Sequence, residues 1–130
     1  MTLTNVSGSA LSNVEFMRSF DPDNTVFKGG DFTTINTING QFATEGFSMV
    51  TGTSQAGDNY NTLTGNQATI FYFTKDPNAL VYTDGFSNNN PYNFDSLNQA
   101  TGFTVTDDIA IGDLPIGKWR LLTRQELARL

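Results

Sequence analysis

Between Asp21 and Asp31 the chain gathers three carboxylates and an amide: Asp21-Pro22-Asp23-Asn24, then Gly29-Gly30-Asp31. Hard oxygen donors in a tight loop suit Ca²⁺, which takes about 6 to 8 oxygen ligands, backbone carbonyls included. Asp-Pro-Asp-Asn is also ordinary turn composition, and the span lacks the Gly and closing Glu of an EF-hand loop. Two readings therefore stand: a calcium site on Asp21, Asp23, Asn24 and Asp31, or a plain turn. Asp107-Asp108 and Asp84-Gly85 are lesser candidates, where solvent is the simpler company for the charges.

Catalysis has little to draw on. With no His and no Cys, Ser-His-Asp and Cys-His nucleophilic systems and the usual zinc sites are impossible. A glycosidase needs only two carboxylates, about 5 to 9.5 Å apart, and Glu15 and Glu45 are nominally available. Any acidic β domain offers such pairs, so the expectation is a protein that is not an enzyme. Binding has a different basis. Tyr60 and Tyr92 fall in polar stretches at 51–67 and 84–102, where an aromatic ring beside Asn and Thr could stack on a sugar. A carbohydrate-binding module using those two loops is the alternative function. Tyr72 and Tyr82 fall in strand-like runs, where core packing is the usual fate.

The elements that must carry these residues read as strands. Charged residues are only 15% of the chain, and Thr, Asn, Ser and Gly fill the gap, a mixture that suits pleated surfaces and turns more than helices. Eleven Phe supply bulk for one apolar interior in 130 residues. VEFMRSF at 14–20 alternates, with Val14, Phe16 and Phe20 on one side and Arg18 among them, to be placed at an edge or in an ion pair. FTTINTI at 32–38 is β-branched, and Asn39-Gly40 after it is a strong hairpin signal. QFATEGFSMV predicts two short strands around Gly46, and 51–67 a long polar loop. ATIFYFT at 68–74, continuous in β-branched and aromatic residues, predicts a central strand, with ALVYT at 79–83 following across a tight turn. FTVTDDIAIG adds one or two more. The expected fold is all-β: an antiparallel β-sandwich of about seven to nine short strands over residues 1–117.

Residues 118–130 change character. Up to residue 116 twelve acids face three bases, whereas 117–130 hold four bases and one acid, with Trp119, Leu122, Leu127 and Leu130 spaced for one helical face. A short helical tail is predicted there, and a sandwich lacking its last strand would then expose an edge. Net charge is −6, which disfavours nucleic acid as a partner. No apolar run of about 18 residues predicts a membrane span, and the first residues lack a signal-peptide pattern.

The stretch Leu3-Thr4-Asn5-Val6, then Leu11-Ser12-Asn13-Val14-Glu15-Phe16-Met17-Arg18-Ser19-Phe20-Asp21-Pro22-Asp23, resembles the opening of β-sandwich modules in large secreted, calcium-associated bacterial surface proteins of cyanobacterial and RTX type. Gly29-Gly30 and Thr34-Ile35-Asn36 follow in the order of those modules, and Ala110 to Gly117 is similar to the segment before their closing strand. The likeness spans roughly residues 2 to 117. It departs at Lys118-Trp119-Arg120, where a Thr- and Phe-rich strand is expected. The resemblance implies an extracellular or cell-surface module among neighbouring modules of a longer chain and supplies no ligand of its own; the expected role is structural or adhesive, with Ca²⁺ at the 21–31 turn, and a surface glycan is a candidate partner through the Tyr60 and Tyr92 loops.

Overall fold

The computed structural model describes residues 4–16, 21–83, 100–107 and 116–121. Six strands lie among them: β1 (Leu11–Phe16), β2 (Thr34–Gly40), β3 (Ser48–Ser54), β4 (Thr69–Thr74), β5 (Thr104–Asp107) and β6 (Ile116–Leu121). Two short helices, α1 (Phe42–Glu45) and α2 (Asn59–Thr64), and a 3₁₀ turn at Val26–Lys28 interrupt them. The chain is thus mostly strand with little helix. Strands β4-β3-β2-β5 form an antiparallel sheet in that order, and β1 pairs antiparallel with β6. None of the described helices is long and apolar enough to cross a membrane.

The central pair shows why the sheet forms. Along β2, Thr34, Asn36, Ile38 and Gly40 are buried while the residues between them are not, and along β3 the same holds for Ser48, Val50, Gly52 and Ser54. This period of two is what a pleated strand with one covered face requires. The apolar centre is small: Ile38, Val50 and Val81 pack together, with Tyr72 against them, and Ala79 and Tyr82 are also buried. Burial of each such aliphatic side chain stabilises by about 1.5–3 kcal/mol.

Around this centre several buried polar groups pair with one another. Ser48 Oγ donates to the Ala79 carbonyl at 2.7 Å, and the Ser54 hydroxyl donates to Asn61 Oδ1 at 2.7 Å while accepting from the Ala68 N–H at 2.9 Å. Gln41 behaves like a borrowed strand residue: its side-chain Nε2 donates to the Val81 carbonyl at 2.6 Å and its Oε1 accepts the Val81 N–H at 3.1 Å. These bonds matter because a buried backbone group left without a partner costs about 1–3 kcal/mol.

Several sequence expectations are corrected. No described Phe is fully buried: Phe16, Phe42 and Phe47 are half-buried, and Phe27, Phe32, Phe71, Phe73 and Phe103 are exposed. β4, expected at the centre, is an edge of its sheet, paired among the described residues with β3 alone. Asn39-Gly40 is no hairpin turn. Both residues belong to β2, and Gly40 pairs with Met49 past a register shift. Gly40 is required by packing: the Phe47 ring passes 2.4 Å from where a Cβ would stand.

The reversal is made instead by α1, closed by Gly46 in the left-handed region at φ 73°. The stretch read as a polar loop at 51–67 holds the end of β3 and then α2. Residues 79–83 contribute buried side chains without forming a continuous strand. Residues 116–121 form β6, with Trp119 opposite Val14 and Ile116 opposite Phe16, so the start of the expected helical tail is strand, while Leu122, Leu127 and Leu130 lie outside the described residues. Arg18, residues 84–99, Asp108 and 122–130 lie outside the described residues.

Candidate functional site

The 21–31 turn folds back on the sheet through Asn24. Its side-chain amide donates both hydrogens inward, to the Gly52 carbonyl at 2.7 Å and the Ala68 carbonyl at 3.1 Å, tying the turn to the ends of β3 and β4. Pro22 is buried beneath, and Asp23 turns the chain at φ 21°. Thr25 then opens the 3₁₀ turn, which Gly29 ends at φ 82°.

The far side of the turn is held by a carboxylate that the sequence reading did not single out. Asp58 is fully buried (0% exposed) and stands at the N-terminus of α2. Its Oδ2 accepts from Thr25 Oγ1 at 2.6 Å and from the Asp31 N–H at 2.9 Å, and its Oδ1 accepts from the Tyr60 N–H at 2.7 Å. Burial pushes this carboxyl up; the hydrogen bonds from Thr25, Asp31, Tyr60 and Asn61 outweigh it and hold the group below the ordinary carboxylate range. Gly30 is the space for this junction, since a Cβ there would lie 2.2 Å from Thr25 Oγ1 and 2.6 Å from Asp58 Oδ1. The signal in the sequence was an Asp just before a short polar helix, a common N-cap placement, masked by the weak helix propensity of Asn59 to Thr64.

No family model, curated protein or solved structure matches this chain. What the site can do is therefore read from its own atoms. Asp21 and Asp31 are exposed, and Asp23 and Asn24 half-buried. Among the described residues no three carboxylates come together as a metal cluster. Two oxygens of the turn nevertheless stand out. Asp23 Oδ1 and Asn24 Oδ1, on consecutive residues, are buried and accept no hydrogen bond.

The other candidates are dispersed. Tyr60 is half-buried in the first turn of α2, its N–H spent on Asp58. Tyr92 and most of the 84–102 stretch lie outside the described residues, as do Asp84 and Asp108, while Asp107 pairs with Thr34 across β5 and β2. Glu15 is half-buried in β1. Glu45 is exposed and accepts from the Thr44 hydroxyl, from Thr101 Oγ1 at 2.7 Å and from the Gln41 N–H at 2.9 Å. These bonds, that of Thr44 first, hold Glu45 below the ordinary carboxylate range.

Proposed function

We propose that this chain is a non-catalytic structural or adhesive module of a secreted surface protein, an antiparallel β-sandwich whose 21–31 turn is stiffened by Ca²⁺. The observation that carries the reading is the pair of buried, unpartnered oxygens on Asp23 and Asn24. A buried oxygen without a donor is costly, and a cation or an ordered water repays that cost. The donors at hand are all oxygen, with Asp21 and Asp31 adding negative charge on the same turn, and oxygen is the ligand set that Ca²⁺ takes.

Two further points support a module without a reaction of its own. A general acid needs a carboxyl raised toward neutral pH, whereas Asp58 and Glu45 are both shifted down by hydrogen bonds that serve the fold. The resemblance of residues 2–117 to modules of calcium-associated surface proteins implies the extracellular setting and neighbouring modules in a longer chain. In the sandwich, the β1–β6 pair would form a layer opposite the four-stranded sheet.

The test is the thermal midpoint with excess Ca²⁺ and with chelator, in wild type and in the double variant Asp21→Asn, Asp23→Asn. A ligand bound only by the folded state at 100 times its dissociation constant adds about 2.7 kcal/mol, a rise of several degrees. A calcium-dependent rise that the variant loses is the expected result. No rise in wild type would mean that water meets the two oxygens, and would remove calcium from the reading.

A further inference from the structure

β4 carries the most exposed apolar side chains of the sheet: Phe71 is 57% exposed, Phe73 48% and Ile70 39%. It is also an edge, six residues long and in regular register with β3 from Thr69 to Thr74. Among the described residues no backbone hydrogen bond reaches its outer side. Natural edge strands are usually blunted by Pro, by an inward charge, by a bulge or by shortness, and β4 has none of these. The opposite edge, β5, has only four residues and ends at Asp107. The difference between the two edges points to pairing at one of them.

We propose that β4 is a self-association edge, on which β4 of a second copy of this chain pairs antiparallel about a two-fold axis at Phe71. The charges favour a second copy as the occupant. The chain carries a net −6, yet Thr69-Ile70-Phe71-Tyr72-Phe73-Thr74 has no charge at all, so two such edges meet without the repulsion that the rest of the surfaces would feel. With the axis at Phe71, Lys75 falls opposite Gln67 of the second copy and Asp76 opposite Asn66, so no like charges face each other.

The same register sets the two Phe71 rings side by side on one face and Phe73 beside Thr69 of the second copy. Phe73 already has Phe47 at 5.8 Å between ring centres, which leaves Phe71 as the more exposed ring of the strand. Because the contact is the same patch on both copies, the pair closes as a dimer of two four-stranded sheets and does not extend into a fibre.

Sedimentation across a wide concentration range tests this with wild type, Phe71→Lys, Phe71→Glu and an equal mixture of the two variants. The side chain stands on the exposed face, so each variant is expected to keep the wild-type thermal midpoint. Wild type should dimerise as concentration rises, each variant alone should stay monomeric because like charges are placed face to face, and the mixture should recover a heterodimer. Amide exchange in 69–74, and not in 104–107, should slow with concentration in wild type, a readout that needs no variant. A wild type that is monomeric throughout, a dimer that persists in both variants, or exchange in β4 that ignores concentration would each overturn the proposal. Calcium plays no part in the pairing, so its outcome is separate from that of the turn.

Discussion

Thr25 Oγ1 donates to Asp58 Oδ2 across 2.6 Å, a buried hydrogen bond between residues 33 apart in the chain. It joins the 3₁₀ turn to the start of α2, and the Asp31 N–H reaches the same oxygen, so one carboxylate holds both ends of the 25–31 loop. The acidic turn is therefore shaped by a residue outside it. Whatever meets the oxygens of Asp23 and Asn24 does so in a loop already anchored from behind.

The first prediction concerns pH. Asp58 is held below its unfolded value in the folded chain. A group of this sign contributes stability that is present above the unfolded carboxylate pKa and is lost as pH falls through the lower, folded one. The thermal midpoint should therefore drop on acidification through the carboxylate range. Asp58→Asn should start lower at neutral pH, because the amide nitrogen cannot accept from Thr25 and Asp31, and its acid limb should be flatter. An acid limb unchanged in the variant would assign the effect to other carboxylates, with Glu45, shifted the same way, the next to test.

A second prediction separates two glycines. A methyl group at Gly30 would lie 2.2 Å from Thr25 Oγ1, whereas at Gly57 nothing stands within 4 Å. Gly30→Ala should cost about 1–3 kcal/mol by overpacking the junction. Gly57→Ala should be neutral or should stabilise by up to about 1 kcal/mol through the unfolded state. Denaturant midpoints of the two variants check this, and equal values would mean that the junction gives way without cost.

The third prediction sets the interior against the exterior. Ile38 is 0% exposed and Leu63 82%. Ile38→Ala should destabilise by about 2–5 kcal/mol, since the transfer and cavity costs add. Leu63→Ala should stay within about 0.5 kcal/mol of wild type, as for a surface change away from any special feature. Chemical denaturation of both would show whether the small aliphatic centre is the true core.

How far the sequence alone reached depends on the range of the cause. The alternation of Thr34, Asn36, Ile38 and Gly40 is local, because side-chain direction reverses at every residue of a strand, and so β2 was legible. The want of His and Cys excluded whole chemistries without any coordinates. The 21–31 span was recognisable as a turn because Pro, Asp and Gly constrain their own backbones.

What lay beyond it is settled by residues far apart. Whether β4 is central or an edge depends on which strands hydrogen-bond beside it, and a run of Ile, Phe and Tyr reads the same in either place. Gly40 looked like a turn because Asn-Gly usually is one, until Phe47 claimed the space above it. Of the helical face read from Trp119, Leu122, Leu127 and Leu130, Trp119 lies in β6, where pairing with β1 decides its conformation, since ladder bonds outweigh fractions of a kcal/mol in propensity. Asp58 is one Asp among many in the sequence. Only the fold brings Thr25, Asp31 and Tyr60 around it, because a buried carboxylate is stable where donors from separate segments converge.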